Sequence, residues 1–333
     1  MQSWVHENGF PEYRGRQLFK WLFNKIVSDP AEMTDLPSAL KELISEKTNL
    51  TLSNVLGHDG SKISETKKIL FEMQDGHYAE AVLIFSKDRR TVCVSSQIGC
   101  ALACKFCQTG KMGFIRNLSS GEIMEQLLYM MKVSSEPVTN VVFMGMGEPF
   151  LNFEQVIKSA EIMNHKDACY ISARKITLST AGVIPEIIRF ADLRSQYKLA
   201  VSLNSPFQQE RNKLMPIAGK YPLDELFQAS RYYTKITGKI ITFEYVLLDG
   251  LNMTSAHAEA LINKLKNINC KLNLIPFNET DSDYKRPKTE KVREFENRFR
   301  HASFPVITRW SGGRENNAAC GQLFYKQTKL EFE

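Results

Sequence analysis

From Cys93 to about Arg309 short apolar runs alternate with longer amphipathic stretches. VCVSSQ, TNVVFMGMG, ARKITLST, YKLAVSLNS, KIITFEYVLLDG and CKLNLIPFN are compact, β-branched or aliphatic, and read as buried strands. Between them SSGEIMEQLLYMMK, NFEQVIKSAEIMN, VIPEIIRFADL, LDELFQASRYYT, TSAHAEALINKL and TEKVREFENRFR repeat their apolar positions at helical spacing. Strand–helix units in this order predict parallel strands joined by right-handed crossovers. Six units fit an α/β fold built as a partial (β/α)6 TIM-like barrel better than a closed eight-stranded one. Two smaller units precede it. From Glu12 to about Lys47 the pattern is helical, with Leu18, Trp21, Leu22 and Ile26 on one stripe and SDPAEM as a stop and restart. From Thr51 to Val94, KKILFEM and HYAEAVLIFS are broken by HDGSK, QDGH and SKDRR, which reads as a hairpin or small sheet. The expected divisions are a helical accessory domain over 1–50, a β-rich connector over 51–92, a catalytic core over 93–320 and a short tail over 321–333.

Composition narrows the class. With 333 residues, 43% hydrophobic and 24% charged, the chain is neither disordered nor fibrous. No run approaches the roughly eighteen apolar residues of a membrane span, and MQSWVHENGFPEYRGR lacks the apolar core of a secretion signal. A cytoplasmic location, a monomer and no membrane contact are the expectations. The formal charge of +6 permits a polyanionic partner. The excess lies almost wholly in 181–333, with 23 basic against 17 acidic residues. The N-terminal unit is therefore no general polyanion clamp; any such contact there would use the local group Arg14, Arg16, Lys20 and Lys25, which otherwise reads as a solvated helix face.

Seven cysteines are too few for a disulfide scaffold, so their spacing decides their use. Cys100, Cys104 and Cys107 form C-x3-C-x2-C in a loop after the first barrel strand. Three thiolates can hold three irons of a [4Fe-4S] cluster and leave the fourth open to a small molecule. The alternative is a zinc site completed by the distant Cys320 or a histidine. In barrels of this kind chemistry sits at the C-terminal ends of the strands. Here those ends bring Gly145, Gly147, Glu148, Ser179, Thr180, Ser202, Leu203, Asn204 and Asn278 to the same mouth as the cysteines.

The cysteine loop at the head of a parallel β/α array resembles the radical S-adenosylmethionine (SAM) superfamily. Over nearly its whole length the chain further resembles the RlmN/Cfr family of RNA adenosine methyltransferases. The matching segments are VCVSSQIGCALACKFCQTGKMGFIRNLSSGEI, FMGMGEP, ARKITLSTAGVIP, SLNSP with RNKLMPI, LNLIPFN and AACGQL, besides YRGRQLFKWLFNK and EMTDLPSALKELI in the helical unit. The resemblance implies a [4Fe-4S] cluster on Cys100, Cys104 and Cys107, its open iron chelating SAM for cleavage to a deoxyadenosyl radical. It implies SAM contacts at Gly145, Gly147, Glu148, Ser179, Ser202, Leu203, Asn204 and Asn278. Glycines would admit the ligand close to the backbone and Glu148 would accept from its ammonium.

The resemblance also assigns roles outside the cluster. Cys320 matches the methyl-carrying cysteine, Cys93 the thiol that resolves the covalent intermediate, and Glu80 the proton acceptor. Adenine C2 and C8 are too electron-poor to attack a SAM methyl group, whereas a thiolate can. The implied sequence uses two SAM per turnover: one methylates Cys320, the other generates the radical that takes hydrogen from the S-methyl group. The carbon radical adds to adenine, the ring loses an electron and a proton, and Cys93 attacks Cys320 to release the product and leave a transient disulfide. Large-subunit ribosomal RNA and tRNA are the implied substrates, and a flavodoxin or ferredoxin the electron donor. GKMGFIRNLS is similar to the C2-methylating branch; C8 methylation and radical SAM chemistry on a non-RNA substrate are the alternatives, and a non-catalytic iron-sulfur or zinc RNA-binding module the third. There are two departures from the family: Asn204 stands where His is usual, and the run Gly313-Arg314-Glu315-Asn316-Asn317 stands where an acidic residue followed by Ile or Val is usual. Cys169 and Cys270 match no motif and read as structural.

Overall fold

The structure is a computed structural model and describes residues 1–51, 53–59, 66–86, 88–310 and 321–323. Twelve strands are present among these: β1 Ser53–Asp59, β2 Thr66–Met73, β3 Tyr78–Ser86, β4 Arg89–Cys93, β5 Gln97–Gly99, β6 Phe114–Asn117, β7 Asn140–Phe143, β8 Ile176–Thr180, β9 Lys198–Ser202, β10 Ile241–Leu247, β11 Cys270–Pro276 and β12 Val306–Thr308. Ten of them form one sheet in the order β1-β2-β3-β4-β7-β8-β9-β10-β11-β12, and β5 pairs with β6 apart from it. From β4 to β12 every pairing is parallel, which is the open (β/α) barrel that the alternating pattern predicts. The six expected strands are all present. The short β12 adds a seventh at the far edge, where its three residues pair with Leu272–Leu274.

Helices α1 Gln2–Glu7, α2 Tyr13–Phe23 and α3 Ser38–Lys47 precede the sheet, and α4 Gln108–Lys111 follows the third cluster-motif cysteine. The crossovers are α5 Ser120–Val133, α6 Phe153–Asn164, α7 Ile184–Asp192, α8 Gln208–Leu214, α9 Leu223–Thr237, α10 Ser255–Leu265 and α11 Thr289–Asn297. Local chemistry sets their ends. Ser119 and Glu122 close a reciprocal capping box on α5, which satisfies two otherwise orphaned amide groups. Pro185 sits in the first turn of α7, where its missing N–H costs nothing. Gly238 ends α9 in the left-handed conformation. Ile123, Met124, Leu127 and Met130 of α5 face the same core as Val141 and Phe143 of β7 and Leu178 of β8, all within 0% exposure. Among the described residues no helix is long and apolar enough to cross a membrane.

Strands β1 to β3 lie within the stretch 51–92 that the sequence marks as β-rich. They run antiparallel and extend the barrel sheet from its first edge, with Val82 of β3 opposite Cys93 of β4. The join is local: Ser86 of β3 pairs with Arg89 of β4, so SKDRR is a hairpin turn inside one sheet and not a boundary between two units. Its consequence is functional, because β3 carries Glu80 beside the strand that carries Cys93.

The helical unit packs Leu18, Trp21, Met33, Leu36, Leu40 and Ile44 into a core of its own. Leu18, Trp21 and Leu22 take the places expected of them, but Ile26 does not. Helix α2 stops at Phe23 and Ile26 has φ +56°, so Val27 packs against that core instead. The basic group is also largely engaged. Arg16 Nε donates to Asp167 Oδ2 at 2.7 Å, Lys20 lies 3.5 Å from the same carboxylate, and Lys25 stands over the Trp21 ring. With Asn24 donating to Ala168 O and Phe19 edge-on to His165, these contacts dock the unit on the segment after α6.

Candidate active site

The loop from Ser95 to Cys107 is built by two constraints. Strand β4 delivers the chain to the barrel mouth, and pairing of β5 with β6 folds the following loop back across it. Lys105 N donates to Leu214 O at 2.9 Å, tying the loop to the end of α8, while Cys107 N donates to Cys104 O at 3.1 Å. Cys100, Leu102, Leu214 and Met215 pack together, with Cys104 and Phe106 against them. One cavity of about 220 Å³ is lined by Cys100, Cys104 and Cys107, and by Cys93, Gly145, Gly147, Glu148, Ser179, Ser202 and Asn204. Ten sequence-assigned positions thus meet in one space.

Burial pushes the Cys100 thiol up to about 12 and the Cys104 thiol well above its ordinary value. Buried thiolates side by side repel one another and lack solvent, so a cationic group must accompany their ionisation. Among the described residues no three His, Cys, Asp or Glu side chains converge to hold a single ion. Three soft thiol donors spaced around one cavity fit a polynuclear iron-sulfur cluster, whose irons each take one of them. Cys169 and Cys270 stand elsewhere, their thiols pushed up to about 12 by burial, which matches a structural part.

The glycine-rich end of β7 has a reason of its own. A Cβ on Gly147 would lie 2.5 Å from Gln97 Cβ, and one on Gly145 would lie 2.7 Å from Val94 O. Gly147 also has φ +96°, where L side chains are strained. The close approach these glycines permit is therefore to the loop leading into the cysteines, sealed by Ser96 N and Gln97 N donating to Met146 O. Glu148 is held from both sides: Ala181 N donates to Oε2 at 2.7 Å and Phe150 N to Oε1 at 3.0 Å. Burial nevertheless dominates and lifts its carboxyl to about 7.

Asn204 is buried at the end of β9 with φ +58°. Asn and His are both enriched among non-glycine residues in that region, so the exchange against the family pattern carries no backbone penalty. Its amide accepts from Val246 N at 2.9 Å and donates to Met215 Sδ at 3.1 Å. Arg211, wholly buried, donates to Ala181 O, Ser202 O and Leu203 O and so pins the ends of β8 and β9.

Three assigned residues stand off the cavity. Leu203 is core and donates its amide to Glu244 O. Asn278 is buried and accepts from Arg286. Glu80 is 3% exposed and pairs with Lys68 at 3.0 Å; it shares a strand face with Val82 and Ile84, which do line the cavity. Cys320 lies outside the described residues, as do Arg314, Glu315, Asn316 and Asn317. Its chain neighbour Gly321 lines the cavity, and Leu323 packs with Cys93, Val82 and Met146. Gln108 N donates to Gly321 O at 2.9 Å and Thr109 Oγ1 to Leu323 O at 2.6 Å, fastening 321–323 to α4 beside Cys107. Glu244, Arg309 and Trp310 also line the cavity and went unassigned in the sequence. A carboxylate inside the otherwise apolar run ITFEYVL was the signal for the first.

An open parallel barrel with a C-x3-C-x2-C loop and a glycine-rich strand end at one mouth is the arrangement of a radical SAM enzyme. The model for the radical SAM superfamily matches residues 94–265, and that for the ribosomal RNA large subunit methyltransferase N-terminal domain matches residues 1–50. The chain is 40% identical to the "Probable dual-specificity RNA methyltransferase RlmN" of Clostridium novyi over 324 residues, 97% of this chain and 94% of that protein. It is 42% identical to the protein of the same description from Synechocystis sp. over 325 residues, 97% of this chain and 91% of that one. A crystal structure of a radical SAM methyltransferase from Sphaerobacter thermophilus superposes with a TM-score of 0.93 at 40% identity, covering 96% of this chain and 95% of that one. The chain belongs to the RlmN family of radical SAM enzymes.

Proposed function

We propose that this chain methylates C2 of adenosine in large-subunit ribosomal RNA and in tRNA. The observation that carries the reading is one cavity lined by Cys100, Cys104 and Cys107, by Cys93, and by Gly321, which is bonded to Cys320. Bound there, a [4Fe-4S] cluster with SAM supplies a carbon radical by one-electron cleavage, and SAM supplies the methyl group. The three loop thiolates hold the cluster, while Gly147, Glu148, Ser179, Ser202, Leu203, Asn204 and Asn278 form the SAM site, the last three in part by shaping the strand ends. Two SAM are spent per turnover. The Cys320 thiolate takes a methyl group from the first; after loss of one hydrogen to the radical, its methylene carbon bonds to adenine C2. Glu80, paired with Lys68 at 3.0 Å, takes the ring proton, and the electron given up with it would return to the cluster oxidised in the cleavage. Cys93 then attacks the Cys320 sulfur, releasing the methylated base and leaving a disulfide for external thiols to reduce. A flavodoxin or ferredoxin provides the electron, and the enzyme works as a cytoplasmic monomer.

Nucleoside mass spectrometry tests this. RNA incubated anaerobically with reconstituted enzyme, SAM and reductant is expected to yield 2-methyladenosine. Formation of 8-methyladenosine alone overturns the C2 assignment, and absence of any methyladenosine overturns the substrate.

A further inference from the structure

Glu244 sits mid-way along β10, opposite Ser202 of β9 and Asn273 of β11. Its side chain is 8% exposed and lines the active-site cavity, as does Val246 two residues further along the same face. Oε1 accepts from Asn273 Nδ2 at 3.0 Å and lies 3.9 Å from Arg309 Nη1. Oε2 is buried and has no hydrogen-bond partner among the described residues. A buried carboxyl oxygen without a partner is costly, and a strand kept only for stability would carry an apolar residue there. No role assigned above uses this group.

The same cavity reaches the open edge of the barrel. Arg309 and Trp310 follow β12, the last strand of the sheet, and both line the cavity while about half exposed. An exposed indole stacks on a nucleobase and a guanidinium pairs with phosphate, which is how unstacked RNA bases are commonly held. A base entering past Trp310 meets Glu244 further in.

Resting on the RNA-adenosine reading above, the geometry points to Glu244 as the residue that recognises the target base by its 6-amino group. A carboxyl oxygen accepts from the amino group of adenine, whereas guanine and uracil present a carbonyl oxygen at the equivalent place and repel it. Asn273 and Arg309 hold the other oxygen and so fix the direction of the free one. Burial raises the Glu244 carboxyl above its ordinary range, and a group that is costly to ionise alone gains from a donor that arrives with the substrate. SAM carries the same aminopurine, so the test separates the two sources.

Equilibrium binding by the reconstituted holoenzyme is measured for an RNA stem-loop with one unpaired adenosine and for the same stem-loop with purine riboside, which lacks the amino group, in its place. Wild type is expected to prefer adenosine by roughly 10- to 100-fold, the worth of one hydrogen bond to a buried carboxyl. In Glu244→Met the preference is expected to fall to about twofold or less, with affinity for SAM unchanged. Glu244→Asp, which keeps the charge but draws it back by one methylene, is expected to lose the preference likewise and serves if the methionine variant fails to fold. No preference in wild type, or a full preference in either variant, overturns the assignment. Loss of SAM affinity with the RNA preference intact also overturns it, by moving the carboxyl to the cofactor's adenine. Methylation of the adenosine stem-loop by wild type is scored in the same samples: its failure counts against the catalytic reading, while the binding ratio alone judges Glu244.

Discussion

Cys320→Ala is expected to abolish methyl transfer to RNA, with a loss of at least about a thousandfold, because no other group can carry the methyl carbon to an electron-poor ring position. The cluster should survive. The thiols proposed to hold it are Cys100, Cys104 and Cys107, and Cys320 is not among them; the loop that carries them is tied to β6 by β5 and to the end of α8 by Lys105 N donating to Leu214 O. Iron content and the visible absorbance of the reconstituted variant are therefore expected to equal those of wild type. Retained methylation would remove the thiol from the chemistry, and a lost cluster would make Cys320 a ligand, as in the zinc alternative.

Cys93→Ala is expected to fail one step later. The methylene bridge to adenine would form, but no thiol would be in place to attack the Cys320 sulfur. Cys93 is 8% exposed, lines the cavity and packs against Leu323, three residues along from Cys320. The variant should accumulate up to about one RNA per chain as a covalent adduct that survives denaturing electrophoresis. Cys93→Ala without an adduct would deny it the resolving role.

Much of the core was legible because it is local. Apolar runs bounded by turn residues marked β4 and β7 to β11, and helical spacing marked the crossovers. The cysteine triple was legible from spacing, and the cavity it lines holds most of the strand-end residues assigned beside it. The pairing that brings Glu80 close to Cys93 was within reach of the sequence, because HYAEAVLIFS and the strand ending at Cys93 are hairpin neighbours with Ser86 opposite Arg89; a division placed at 92 hid it. Non-local features were not legible. Arg16 and Lys20 read as solvated cations because their partner, Asp167, stands 151 residues along the chain from Arg16. Ile26 satisfied a helical stripe that ends three residues before it. Asn278 and Leu203 match ligand motifs but are not among the residues lining the cavity: Arg286 donates to Asn278, and Leu203 N donates to Glu244 O. Glu244 was the reverse case: chemistry in the cavity that an apolar strand pattern concealed.

The most direct test of the account is the stoichiometry of the SAM products against methyladenosine in one anaerobic reaction. A thiol that is first methylated and then activated predicts about one S-adenosylhomocysteine and about one 5′-deoxyadenosine for each methyladenosine formed. S-adenosylhomocysteine in equal amount to methyladenosine, with no 5′-deoxyadenosine, would mean direct polar transfer to RNA and would contradict it.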